Sequence, residues 1–271
     1  MNQGSVRVTG DDFGLCESVD GAICALHDAG LLHRTALLAT SERFDESCRA
    51  LRARPHLEVG IHLNLTDGRP VLPAEQVPSL VDETGHFLGG RHRRVLTRIL
   101  TGRFRQSEIR AEWRAQVERV RDAGIVICEL NGHGHLHLAP SLWPVVADLM
   151  HEFSIPAVRR VSGIDSLRGL VFTPLGWGLT RAVARKGLHL SEPPIMLGLR
   201  GHGWLSEESL ERALRARPDE DVELIVHPAL DTNAYHRRWQ YSGADEMNVL
   251  LSPRIAPMLR CGHAAAETEP A

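Results

Sequence analysis

The sequence predicts an α/β fold in which parallel strands curl into a distorted (β/α) barrel. Short apolar segments rich in β-branched residues alternate with helical segments along the 271 residues, which is typical of βαβ units. Roughly seven such units follow one another, more than a short open sheet requires. Polar residues that can bind a metal stand at the ends of several predicted strands, and such barrels carry their chemistry at the carboxyl ends of the strands.

The predicted strands are short and mostly apolar, and turns or helical segments separate them. In chain order they cover residues 6–9, 35–39, 57–61, 125–130, 156–159, 195–199 and 222–226. The first strand leads into Asp11 and Asp12, the third into His62, and the last into His227. Because strand ends meet at one rim of a barrel, we expect these side chains to come together.

The predicted helices carry apolar residues at helical spacing, and several end at Gly or just before Pro. They cover residues 17–29, 44–54, 107–123, 140–153, 176–186, 206–215 and 244–251. Between residues 67 and 105 the periodicity weakens, which is typical of a functional insertion such as a lid or a substrate-binding segment. The sequence therefore predicts one catalytic domain over residues 1–262 with this insertion, followed by a flexible tail at 263–271.

Composition and charge exclude several classes of partner. Hydrophobic residues make up 43% of the chain and charged residues 24%, with a net charge of -3, so neither nucleic acid nor a membrane surface is expected to attract it. The 5 cysteines are scattered without a Cys-x-x-Cys pair, which argues against a disulfide framework. The sequence shows no signal peptide and no long apolar span, so we expect a soluble cytoplasmic protein.

Asp11 and Asp12 form the first candidate functional pair. A turn at the end of a strand would by itself explain Asp residues at this point. Adjacent residues of a strand point to opposite faces, so both carboxylates approach one cation only if the chain turns here, which Phe13 and Gly14 allow. One Asp with two His is a common way to hold a catalytic divalent metal with a position left for water, and the second Asp could then act as a base.

Histidines supply the other candidate ligands. His62 ends a strand, where a lone His is also consistent with a purely structural role. His133, His135 and His137 recur at a spacing of two, which predicts that all three face the same side of an extended segment. The alternative is a His-rich surface loop. One of the three could bind the metal while another orients the substrate or supports a ligand.

His227 and Arg159 complete the candidate set. His227 precedes Pro228, which gives the chain a rigid exit from the last strand, and proton transfer is one interpretation of this histidine beside an ordinary strand-end role. Arg159 stands at another predicted strand end and could pair with a carboxylate and keep it ionised. A surface position is the alternative for Arg159, because Arg160 follows it directly.

These motifs together resemble a known family, the YdjC-like carbohydrate deacetylases, which include chitooligosaccharide deacetylase and hopanoid-biosynthesis-associated relatives. The resemblance runs from about residue 6 to residue 253, with the motifs in the same order. The matching segments are TGDDFGL at 9–15, VGIHLNLTDGRPV at 59–71, HGHLHLAP at 133–140, AVR at 157–159 and ELIVHPA at 223–229.

The resemblance implies a barrel like that of the polysaccharide deacetylases and a metal-dependent hydrolysis of the N-acetyl group of an amino sugar. It also implies one divalent metal ion, zinc or magnesium. The implied roles are metal ligand for Asp12, His62 and His133, base for Asp11, proton donor for His227, and substrate binding or support of the ligands for Arg159, His135 and His137.

The chain departs from the family pattern at two places. The family usually has Asp-Ser-His-His where this chain has Asn131-Gly132-His133-Gly134, so we expect altered contacts behind the ligands or to the substrate rather than loss of the His133 ligand. Residues 163–204 do not match chitooligosaccharide deacetylase and look closer to the hopanoid-associated branch.

Two other functions remain open at this point. A metal-dependent phosphoesterase could use the same barrel, although no Gly-rich phosphate loop or Lys/Arg clamp lies near the motifs. A sugar-binding protein without catalysis is the other alternative, although it would need neither a base nor a proton donor. The expected partner is a small N-acetylated sugar or glycoconjugate, and the sequence leaves a homodimer open.

Overall fold

A single parallel sheet forms the framework of the molecule. The structure is a computed structural model that describes residues 4–89, 92–161, 167–198, 205–231 and 242–260, with the backbone alone described at 92–93 and 167–171. The strands are β1 (Val6–Phe13), β2 (Arg34–Leu37), β3 (Glu58–Leu63), β4 (Glu129–Gly132), β5 (Ile195–Leu197) and β6 (Val222–Val226). Within the described residues these 6 strands are ordered β4-β3-β2-β1-β6-β5 and curl into part of a barrel, so the predicted fold class is confirmed.

Helices follow the strands as the βαβ pattern predicts. They are α1 (Glu17–Asp28), α2 (Phe44–Arg52), α3 (His92–Leu100), α4 (Gln106–Asp122), α5 (Trp143–Phe153), α6 (Leu167–Ala184), α7 (Glu207–Arg215), α8 (Gly243–Leu251) and α9 (Ala256–Arg260). Short 3-10 helices cover Ala74–Gln76, His133–Leu138 and Pro140–Leu142. Ser206 starts α7 because its hydroxyl accepts the Ser209 N–H in a capping box. No helix in the described part of the chain is long and apolar enough to cross a membrane.

Several local predictions differ from the structure. Helix α3 lies inside the 67–105 segment, where the weak periodicity predicted no helix, because Val95 and Ile99 are its only buried apolar residues among those described and charged residues surround them. Helix α9 was not predicted either. Residues 156–159, predicted as a strand, contribute a single parallel bridge from Val158 to Leu130. The predicted tail at 263–271 lies outside the described residues.

The two faces of the sheet differ in chemistry. On the outer face, alternate residues such as Val8, Ile61 and Leu224 belong to the apolar core that packs against the helices. On the inner face, many of the intervening residues are polar or charged: Thr9 donates a hydrogen bond to Glu223 at 2.8 Å across β1 and β6. Both faces are buried, as is usual for parallel sheets, and the polar inner face leads to the carboxyl rim of the strands.

Candidate metal centre

Three side chains from separate strands meet at the carboxyl rim. The Asp12 Oδ1 atom lies 2.8 Å from His133 Nδ1 and 3.2 Å from His62 Nε2, and the two imidazole nitrogens are 3.2 Å apart. Asp12 and His62 are each 2% exposed and His133 is 3% exposed, so the group is shielded from bulk water. Their ligand atoms all lie within 4.8 Å of one another, which makes them a candidate metal-binding group.

The donor set suits a divalent cation. One carboxylate oxygen and two imidazole nitrogens are ligands that zinc accepts, and the atoms of a tetrahedral site with bonds of about 2 Å lie about 3.3 Å from one another. The observed separations of 2.8–3.2 Å therefore need only a small expansion to receive an ion. Three ligands leave a fourth position for water or substrate, which is the arrangement of a catalytic rather than a structural site.

A local irregularity in β1 brings Asp12 into this group. The pairing of β1 with β2 shifts register between Gly10 and Phe13, and Asp12 has a left-handed backbone with φ +67°. Asp tolerates this conformation better than most residues. The turn is held by the Asp20 carboxylate, which accepts the Gly14 N–H at 2.6 Å. Because the chain turns here, Asp11 and Asp12 do not simply alternate across the sheet.

Asp11 lies beside the candidate ligands but has a different partner. Arg159 donates two hydrogen bonds to its carboxylate, at 2.7 and 2.9 Å, and the guanidinium is itself buried. Burial raises the pKa of Asp11, but the charge and hydrogen bonds of Arg159, together with the nearby His62 and His227, outweigh it and lower the pKa to about 2. Asp11 is therefore ionised over the whole physiological pH range. The pairing of Arg159 with a carboxylate, one of two alternatives for this residue, is the one observed.

The segment that follows β4 does not have the extended conformation that the spacing of its histidines predicted. Residues His133–Leu138 form 3-10 turns with left-handed backbone at Gly134 and His135, so the three side chains diverge. His133 reaches Asp12, whereas His137 is fully buried with its Nε2 2.9 Å from the Arg159 carbonyl oxygen. Burial lowers the pKa of His137 to about 3, which keeps this imidazole neutral.

His135 takes a third direction. Its ring stands edge-on to Phe172 of α6, with ring centroids 5.3 Å apart. The side chain is half-buried, and burial lowers the pKa of His135 well below its usual range. Its Nδ1 atom is buried without a hydrogen-bond partner among the described residues.

His227 lies on the β6 side of the same rim. His227 is half-buried, and burial lowers its pKa. The negative charges of Asp12 and Asp11 act in the opposite direction but are outweighed. Its backbone N–H donates to the Glu246 carboxylate of α8 at 2.7 Å. Burial raises the pKa of Glu246 to about 7. The position of His227 is therefore fixed by a carboxylate that sequence reasoning did not single out.

Behind the rim, a buried charge network fills the inner face of the sheet. Arg34 donates to Glu129 at 2.8 Å, and Arg159 stands 3.5 Å from Glu129 and 3.9 Å from Glu223. Burial and the neighbouring Glu223 raise the pKa of Glu129, while the two guanidiniums oppose this shift. Sequence reasoning missed this network. The signal was the recurrence of polar residues at every second position, as in Glu129 and Asn131 of β4.

A cavity opens beside the loop that follows β3. Its volume is about 360 Å³, and its walls come from the loop after β3 together with Asp82, His86 and Arg94. Asp67, in the same wall, is close enough to His133 for its charge to raise the pKa of that histidine, after the larger contribution of Asp12. The cavity lies largely in the segment predicted as an insertion, and the charge of Asp67 in its wall acts on His133 of the candidate metal centre.

The sequence profile described as YdjC-like protein matches residues 5–260 of the chain. Three relatives bear the name carbohydrate deacetylase. The protein from Brevibacillus brevis is 34% identical over 149 residues, which are 55% of this chain and 56% of that protein. The protein from Oceanobacillus iheyensis is 30% identical over 64% of this chain and 71% of its own length. The Danio rerio protein is 31% identical over 79% of this chain and 71% of its own length.

The fold also has a counterpart among solved structures. A crystal structure from Enterococcus faecalis V583, titled as a candidate cellobiose-phosphate cleavage protein, superposes with a TM-score of 0.74 over 95% of this chain and 94% of that one, at 24% identity. The match to the Brevibacillus relative spans only about half of that protein's length. With a profile match over nearly all of the described sequence and motifs that meet at one rim, the chain belongs to the YdjC-like protein family.

Proposed function

We propose that this protein is a metal-dependent hydrolase that removes the N-acetyl group from an amino sugar or sugar conjugate, releasing acetate and a free amine. The observation that carries the proposal is the buried group of Asp12, His62 and His133 beside an arginine-paired Asp11. The names of the relatives support deacetylation of a carbohydrate as the reaction.

In this proposal Asp12, His62 and His133 hold one divalent cation. Zinc fits the mixed nitrogen and oxygen donors, and magnesium is the second candidate. Asp11 accepts a proton from the attacking water. A carboxylate with a pKa of about 2 is always ionised but is a weak base. When bound, the cation would lower the pKa of its water, so that even a weak base can take the proton, and it would polarise the acetamide carbonyl.

The remaining steps belong to residues around that group. Arg159 keeps Asp11 ionised and fixes the direction of its carboxylate by two hydrogen bonds. His227 donates a proton to the departing amine after it has taken one up, and because burial lowers its pKa the protonated imidazole is the stronger acid. His137 supports Arg159 through a contact with the Arg159 carbonyl oxygen, and His135, packed edge-on against Phe172, supports the substrate-binding side of the site.

The substrate in this proposal occupies the cavity bounded by Asp67, Asp82 and Arg94. Polar and charged walls favour a hydroxyl-rich ligand over an apolar one. The insertion at about 67–105 would then shape the sugar site, and the single domain proposed over residues 1–262 would contain the whole reaction.

The test is an acetate-release assay on N-acetylglucosamine conjugates, run beside a panel of phosphate esters, with the metal content of the purified protein measured in parallel. We expect acetate release, bound divalent metal, and loss of both in His133→Ala. The exposed His56→Ala variant is the matched control and should retain both. Phosphate release would support a phosphoesterase instead. Metal without turnover of any acetylated sugar would support a binding protein.

A further inference from the structure

Asn131 stands between a predicted metal ligand and the buried charge network. It pairs with His62 in the register of β3 and β4, and its side chain is 0% exposed. Its Oδ1 lies 2.6 Å from His62 Nδ1, and its Nδ2 lies 3.1 Å from Glu129 Oε1. One amide therefore joins the imidazole to a carboxylate two residues earlier on the same face of the strand.

The order of hydrogen bonds fixes the protonation of His62. A carboxylate accepts but does not donate, so the amide must turn its NH₂ group to Glu129 and its oxygen to His62. Only an N–H can donate to that oxygen, so Nδ1 of His62 carries the proton. The Nε2 atom faces Asp12 and His133, so it is the nitrogen whose lone pair is available to a cation bound there.

Glu129 cannot move away from this contact. Arg34 donates to its Oε2 at 2.8 Å, and Arg159 stands 3.5 Å from its Oε1. On the neighbouring strand, Gly60 pairs with Glu129. A Cβ at Gly60 would come within 3.2 Å of the Glu129 carbonyl oxygen and 3.6 Å of Asn131 Nδ2, so glycine leaves room for the pair.

We propose that Asn131 is the positioning residue that fixes His62 in its metal-binding form, and that position 131 is an amide because Glu129 already places a negative charge behind it. Metal-bound histidines usually donate their second N–H to a carboxylate, a carbonyl or water. Here the Glu129 carboxylate does not contact the imidazole of His62 directly but acts through the amide of Asn131, which lies between them. The inference rests on the proposed metal site, and it concerns the support of His62 rather than the reaction.

The inference predicts an unusual effect of a conservative change. Asn131→Asp would set two buried carboxylate oxygens 3.1 Å apart, so the variant should bind metal less well although it places a carboxylate next to His62. Exchanging both residues, in the double variant E129Q/N131D, restores one amide and one carboxylate. The amide introduced at position 129 would then donate to the carboxylate introduced at position 131, and the amide oxygen would accept from Arg34.

The experiment measures the dissociation constant for Zn²⁺ by competition with a chromogenic chelator in the wild type, N131D, E129Q/N131D and N131D/E223Q. Glu223 lies in the same network but does not contact Asn131, so N131D/E223Q carries the same charge as the exchange variant and keeps the contact between carboxylates. We expect N131D to bind Zn²⁺ about 10–100-fold more weakly. The exchange variant should recover most of this loss, and N131D/E223Q should not.

Unchanged Zn²⁺ affinity in N131D would overturn the inference, as would equal recovery in both double variants, because net charge alone would then explain the effect. Nitrogen-15 NMR of His62 in the metal-free wild type provides an independent measurement that does not depend on the variants folding. A proton on Nδ1 is expected, and an Nδ1 without a proton would overturn the inference. Failure of the wild type to bind Zn²⁺ would contradict the proposed function, while the NMR result would still decide the role of Asn131.

Discussion

The outer and inner faces of the sheet are built from adjacent residues with opposite requirements. Ile61 and Leu224 on the outer face are buried against helices, where the hydrophobic effect acts without directional demands. Their neighbours His62 and Glu223 on the inner face are equally buried but take part in contacts with defined partners. The outer face stabilises the barrel, and the inner face holds the side chains on which the proposed chemistry depends.

Burial has different energetic consequences on the two faces. An apolar side chain of similar volume can replace another at modest cost. A buried charge that loses its partner remains in a medium of low polarity, so its removal affects every group that contacted it. The two faces should therefore respond very differently to substitutions of similar size.

The largest effect is expected for Arg159→Met on the inner face. The change removes both hydrogen bonds to Asp11 and leaves Glu129 and Glu223 without one of their two guanidinium neighbours. We expect the free energy of unfolding to fall by about 3–5 kcal/mol, measured by urea denaturation at pH 7. Deacetylation should be lost as well. The same substitution at an exposed arginine, Arg103→Met, is the control and should leave stability and activity close to those of the wild type.

The loss of stability in Arg159→Met should depend on pH. Asp11 has a folded-state pKa of about 2, below its usual value of 3.8, so its contribution to stability is complete above pH 3.8 and disappears as the pH falls through 2. The difference in stability between the wild type and Arg159→Met should therefore shrink below pH 3.8. A difference that stays constant from about pH 7 to about pH 2 would contradict the role given to Arg159.

An intermediate effect is expected at Glu246, which holds the His227 backbone at the rim. Its pKa is raised from 4.5 to about 7, so the neutral form favours folding, and that contribution is full below pH 4.5 and lost as the pH rises through 7. In Glu246→Gln the amide oxygen can keep the hydrogen bond without this penalty. Since the residue is only half-buried by surface area, we expect the variant to gain about 1–2 kcal/mol relative to the wild type between about pH 5 and pH 8. Parallel stability curves for the two proteins over that range would show that Glu246 does not titrate there.

The apolar strands of the outer face and the candidate ligands at the rim could both be predicted from the sequence. Apolar residues at strand spacing predicted the sheet, and polar residues after the strands predicted the group of Asp12, His62 and His133 that the structure brings together. The register shift at Asp12 could only be stated as a requirement, because a left-handed backbone at a non-glycine residue leaves no clear pattern in the sequence.

The contacts of the inner face could not be predicted because they join residues that are far apart in the sequence. Arg34 and Glu129 are 95 residues apart in sequence, and each one alone resembles an exposed charge at the edge of a strand. The prediction that His133, His135 and His137 face the same side was wrong for a related reason. Spacing of two implies one face only if the backbone is extended, and the left-handed turn at Gly134 and His135 sends His137 to Arg159 instead.

The smallest effect is expected for Ile61→Val on the outer face, immediately before His62. Ile61 is fully buried in the apolar core, and removing one methylene group should lower the free energy of unfolding by about 0.5–1.5 kcal/mol. Because the side chain points away from the charge network, Zn²⁺ affinity and the rate of acetate release should match those of the wild type. A loss of Zn²⁺ affinity as large as that expected for N131D would mean that packing on the outer face controls the ligand geometry, and the separation of the two faces would then fail at the very strand that links them.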